Sequence, residues 1–147
     1  MLCFLFFSVI LLSSTLSPTY VYAATLYESY TTGEDNYSTF DGASYWHAMT
    51  FTTGSSPHTI TSVKLKLWRV GSPGTITICI KATDGSGHPT GSDLTTGTTN
   101  GNTLPDASTE WRQITLTEYT LSTNTKYAII GKALSGDPNN YVKWQAD

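Results

Sequence analysis

The stretch Thr59 to Ala82, TITSVKLKLWRVGSPGTITICIKA, constrains the chain more than any other. Val63, Leu65 and Leu67 alternate with Lys64 and Lys66, and Ile76, Ile78 and Ile80 alternate with Thr75, Thr77, Cys79 and Lys81. This period of two belongs to strands with one face in a core, and β-branched residues suit a pleated surface. Gly71, Ser72, Pro73 and Gly74 between the runs carry turn chemistry. The pattern predicts a β-hairpin that pairs Leu67 with Ile76, Leu65 with Ile78 and Val63 with Ile80, so that six apolar side chains share one face. Burying each contributes roughly 1.5 to 3 kcal/mol, about 10 kcal/mol together before chain entropy is subtracted. A face of that kind needs a second layer, which the rest of the chain must supply.

Other segments repeat the alternation. Thr25 to Tyr30 reads as a first strand, followed by a loop from Thr31 to Ser44. Tyr45 to Thr53 places His47, Met49 and Phe51 on one face and Trp46, Ala48 and Thr50 on the other. Thr83 to Pro105, rich in Gly, Asp, Asn and Thr, reads as loops around one short strand near Leu94 to Thr98. Trp111 to Glu118 turns Ile114 and Leu116 inward and Gln113, Thr115 and Thr117 outward. Lys126 to Ala133 and Tyr141 to Ala146 follow, with a turn at Ser135 to Asn140. There is no helical period and no repeat. Short strands at this spacing indicate a single all-β domain, an antiparallel, jelly-roll-like β-sandwich over residues 24–147, and exclude a βαβ arrangement. The chain stops at Asp147 within a strand-like run, so the sandwich is expected to be C-terminally truncated and to lack its last strand.

Residues 1–23 read as a secretory signal: Leu2 to Leu12 is almost wholly apolar and Val21-Tyr22-Ala23 fits a cleavage site, although no Lys or Arg precedes the apolar run. Cleavage would start the mature chain at Ala24, secreted or at the cell surface, with no membrane attachment afterwards. The apolar run is shorter than the ~20 residues that span a bilayer. Cys3 would leave with the signal and Cys79 would remain, a small residue in a strand rather than half of a disulfide. The net charge is −3 without a basic run, which argues against nucleic acid as a partner.

The residues WHAMTF, ITSVKLKLWRVGSPGTITICIKATDGSGHPTGSDL, EWRQITLTEYTLSTNTKYAII and SGDPNNYVKW resemble the β-sandwich domains of prokaryotic secreted and surface proteins described as choice-of-anchor domains. The resemblance covers about residues 45–146. It implies a jelly roll similar to carbohydrate-binding modules, without a catalytic signature.

Candidate chemistry is sparse. His47, His58 and His88 have no metal-ligand spacing, there is no G-x-S-x-G, and sequence does not place Glu28, Glu34, Glu110 and Glu118 as a carboxyl pair. No catalytic residue and no organic cofactor is expected. Calcium is the one candidate ion, with Asp84, Ser86 and Asp93, or Glu34, Asp35, Asn36 and Asp41, as oxygen ligands. Asn36-Tyr37-Ser38 is a glycosylation sequon. The aromatics carry the binding hypothesis: alternation turns Trp68, Trp111 and Trp46 away from the core, where an indole can stack on a sugar while Gln113 hydrogen-bonds its hydroxyls. Trp144 reads as core. These features predict a non-catalytic binding or adhesion module for a polysaccharide or cell-surface glycan. The alternative is a structural subunit that self-assembles by strand donation along an open sheet edge, with Ala24 to Tyr30 as the local donor; a hydrolase ranks below both.

Overall fold

The computed structural model describes residues 25–31 and 36–146; the signal reading, Glu34 and Asp35 lie outside them. Eight strands follow in order: β1 (Asn36–Phe40), β2 (His47–Thr52), β3 (His58–Val70), β4 (Thr75–Thr83), β5 (Pro89–Asn100), β6 (Glu110–Leu121), β7 (Lys126–Lys132) and β8 (Tyr141–Ala146), with one 3-10 turn at Gly101–Thr103. They form two antiparallel sheets, a first in the order β1-β8-β3-β6 and a second in the order β2-β7-β4-β5. The chain crosses between sheets at every connection except β4 to β5, so that β1 neighbours β8, β2 neighbours β7, β3 neighbours β6 and β4 neighbours β5, the nesting of a jelly roll. The expected β-sandwich is present. Tyr141–Ala146 lies between β1 and β3.

The predicted hairpin is not formed. β3 pairs with β6 and β8, whereas β4 pairs with β5 and β7, so the two runs lie in opposite sheets. The facing survives the correction: Val63, Leu65, Leu67, Ile76, Ile78 and Ile80 are all buried in one core. They meet across the sandwich instead of along one sheet. Alternation reports which side chains face inward, and both arrangements put the same six there. The linker decides between them. Gly71 and Gly74 adopt left-handed conformations, Pro73 is buried, Ser72 N donates to Asn140 Oδ1 at 2.7 Å, and Gly74 N donates to Asn102 Oδ1 at 2.8 Å. Those bonds tie the linker to both neighbouring loops and carry the chain across the ~10 Å between layers.

Three further boundaries differ from expectation. β1 occupies part of the predicted Thr31 to Ser44 loop, because Asn36 to Phe40 pair with Val142 to Ala146 and Phe40 is fully buried. β5 is twelve residues long, although Leu94 is its only large apolar residue. It is an edge strand held by β4 and pressed against the opposite sheet: a Cβ at Gly97 would lie 1.9 Å from the Thr115 carbonyl oxygen, and Thr95 Oγ1 donates to Thr117 O. Thr25 to Tyr30, expected as a first strand, belongs to no strand.

The core is closed by Phe40, Leu104, Ile114, Leu116, Leu121, Tyr127, Val142 and Trp144, and Trp144 is the core residue the alternation predicts. Arg112 seals one end, with Nε donating to Glu110 Oε1 at 2.7 Å and Nη1 donating to Thr99 Oγ1 at 3.1 Å and Thr103 Oγ1 at 2.9 Å. Among the described residues, no helix is long and apolar enough to cross a membrane.

Candidate functional site

The outer face of the first sheet collects most of the predicted binding residues. Register places Trp111 beside Lys66, Gln113 beside Lys64 and Lys143 beside Trp68, while Tyr37 lies beside Gln145. Adjacent strands thus present aromatic and polar side chains in rows on a rigid pleated surface. Trp111 is 47% exposed. Gln113 is exposed beside it and its Nε2 reaches Ser62 Oγ at 3.5 Å.

Trp68 is half-buried and more enclosed. Tyr37 meets it edge-on, with centroids 5.3 Å apart and planes at 69°. Lys143 Nζ sits 4.5 Å from the Tyr37 centroid, 5.6 Å from Trp68 and 5.9 Å from Tyr141. This lysine is therefore held at the centre of three rings. Trp68, Trp111 and Gln113 share one face, as alternation predicts.

Trp46 does not belong to that face. It is exposed just before β2, at the outer side of the second sheet, where Lys132 Nζ lies 4.5 Å from its centroid. Lys132 is bound to Asp93 at 3.2 Å, and Lys81 approaches the other oxygen of the same carboxylate at 3.3 Å. Cys79 lies beneath, fully buried with Ala128 and Ile130. Burial opposes ionisation of Asp93, but hydrogen bonds from Cys79, Lys132 and Lys81 outweigh it and hold the carboxyl below its ordinary range. Burial and the bond to Asp93 push the Cys79 thiol up, keeping it protonated. Sequence reasoning missed this cluster, since its members come from three strands and only the register of β4 with β7 and β5 unites them.

The calcium candidates are dispersed. Asp84 Oδ1 accepts from Ser86 N and His88 N, each at 2.9 Å, which closes the β4–β5 turn and lowers the Asp84 pKa through the His88 bond foremost. Asp93 is already held by two ammonium groups. Asn36 Oδ1 accepts from Tyr37 N at 2.8 Å, and Asp41 bridges to Tyr45 through its backbone. Among the described residues no three His, Cys, Asp or Glu side chains are grouped as a metal site. The carboxylates are equally scattered: Glu28 is 3.3 Å from His58 at one end of β3, while Glu110 pairs with Leu67 toward the other end, roughly 30 Å away at strand rise.

A groove of about 1390 Å³ opens between β2 and β3. On the β8 side, β3 is paired only from Leu67 to Val70, so among the described residues no strand flanks His58 to Lys66 there. Met49, Phe51, Ile60, Leu65 and Trp144 line the gap, together with the segment Thr25 to Thr31. That segment is pinned by Tyr27, which stacks on His58 with centroids 3.9 Å apart and planes at 8°. Leu26, Tyr27 and Tyr30 remain exposed.

Comparison of the chain with family models, with curated proteins and with solved structures returns no match.

Proposed function

We propose that the protein is a secreted or surface-exposed, non-catalytic binding module that holds carbohydrate on the outer face of its first sheet. The observation that carries this reading is the open Trp111 indole beside Gln113 and Lys64 on a rigid sheet. A flat apolar ring next to hydrogen-bonding side chains matches a pyranose, which has an apolar face and a rim of hydroxyls. The apolar segment ahead of residue 24 and the resemblance to surface β-sandwich domains point to the same class. Calcium remains a proposal of lower rank, since Asp84 and Asp93 would each have to give up existing partners to bind it.

A second reading, a subunit that accepts a strand from a neighbour, is favoured by the open half of β3 and the apolar groove beside it. One experiment separates the two. Wild type and Trp111→Ala are run on a glycan array and by analytical ultracentrifugation. The binding module predicts glycan retention in the wild type and a loss of about 2 kcal/mol, near 30-fold, in Trp111→Ala at unchanged melting temperature. A blank array with oligomers that dissociate on deleting residues 25–31 would favour the subunit.

A further inference from the structure

Charge is segregated on this molecule in a way that its net value of −3 conceals. The outward positions of the first sheet are Tyr37 and Thr39 on β1, Tyr141, Lys143 and Gln145 on β8, Ser62 to Val70 at every second residue on β3, and Trp111 to Thr117 at every second residue on β6. They include Lys64, Lys66 and Lys143; the described carboxylate on this side is the exposed Glu118, past the β6 irregularity and toward the end of the sheet away from Lys143. The other described acids lie elsewhere: Asp93 on the second sheet, Glu28 at His58, Glu110 with Arg112, Asp106 in the loop before β6, and Asp41, Asp84 and Asp137 in turns.

We propose that the ligand of this face is an acidic polysaccharide, one bearing uronate or sulfate groups. This rests on the carbohydrate reading and narrows it. A site for a neutral sugar gains from acceptors as well as donors, because each hydroxyl is both. Between Lys64 and the Trp68–Lys143 pair this face offers ammonium groups and amides with no carboxylate acceptor among the described residues, which suits a ligand that supplies the negative acceptors itself through charge-assisted bonds. Lys143 is fixed among Tyr37, Trp68 and Tyr141, so little ordering remains when an anion approaches it. Geometry favours a chain over a single sugar. Lys143 lies opposite Trp68, four residues along β3 from Lys64, so the two ammonium-bearing positions are about 14 Å apart at standard strand rise and spacing. Along the strand direction Trp111, beside Lys66, is level with the midpoint of the two, displaced by one strand onto β6, on the side of β3 away from β8. Acidic residues of one chain lying across the face can meet both lysines while a neighbouring ring stacks on the indole.

The test measures binding of the full chain to polygalacturonate, heparin, a neutral glucomannan and oligothymidylate at 50 and 200 mM NaCl. Expected is binding to at least one acidic polysaccharide that weakens by roughly tenfold over this salt range, with little binding to glucomannan. Lys64→Gln/Lys143→Gln should lower that affinity at least tenfold, and Lys64→Arg/Lys143→Arg should restore most of it, with melting temperatures reported for both. Salt-insensitive binding to glucomannan that the Gln variant leaves unchanged would overturn the acidic assignment and leave the carbohydrate reading standing. Oligothymidylate binding as tight as that of the polyuronate would also overturn it, since charge alone would then suffice. No binding to any polysaccharide would overturn both.

Discussion

The crossing from β3 to β4 can be tested by cross-linking, because the arch and the hairpin place different residues side by side. Lys64 and Gln113 are direct cross-strand partners on the outer face of the first sheet. Such pairs have Cα atoms about 4.5 to 5.5 Å apart, within disulfide range. Lys66 and Thr77 would be neighbours in a hairpin. In the sandwich they lie on the outer faces of opposite sheets, further apart than the ~10 Å separation of the layers and aimed away from each other. On a Cys3→Ser background, Lys64→Cys/Gln113→Cys should oxidise to one intramolecular disulfide and Lys66→Cys/Thr77→Cys to none. The first bond closes a loop of about 50 residues, for which chain entropy gives about 4 kcal/mol as the upper range of stabilisation. The assay is mass-spectrometric thiol counting after denaturation, with melting curves taken with and without reductant. Buried Cys79 should be counted free in both variants. A disulfide in the second pair and none in the first would refute the arch.

Two other outcomes follow from burial. Leu67 is 0% exposed between the sheets, so Leu67→Ala should destabilise by about 3 to 4 kcal/mol in urea titrations, whereas exposed Lys64→Ala should stay within ~0.5 kcal/mol; equal losses would show that the facing is wrong. His47 lies edge-on to Trp144, at 5.2 Å between centroids, and its buried Nε2 has no hydrogen-bond partner among the described residues. Burial lowers its pKa, so the unfolded chain takes up the proton first as pH falls. The stabilisation from neutral His47 is complete above about pH 6.5 and declines as pH drops below it toward the folded value. His47→Phe should flatten that part of the urea-midpoint profile between pH 7.5 and 5; an unchanged slope would assign the dependence to another group.

Strand content and facing were legible because period-two alternation depends only on which side chains water excludes. Val63, Leu65, Leu67, Ile76, Ile78, Ile80, Ile114, Leu116 and Trp144 face inward as the alternation requires, and Trp68, Trp111 and Gln113 reach one outer face. Pairing was not legible. β3 and β4 have the same inward residues whether they are partners or opposites, and the linker is fixed by long-range hydrogen bonds that its Ser72 and Gly74 N–H groups donate to Asn140 and Asn102. The full length of β5, beyond the short strand expected near Leu94 to Thr98, and β1 escaped notice because their partners, not their own side chains, make them strands. The separation of Trp46 from the other two tryptophans, the Asp93 bridge over Cys79, and the gathering of lysines on one face also required the strand order, since residues distant in the chain become neighbours only when register is set. Hydrophobic patterning is local and can be read along one strand; strand pairing is a competition among all strands for the same edges, and only the assembled sandwich resolves it.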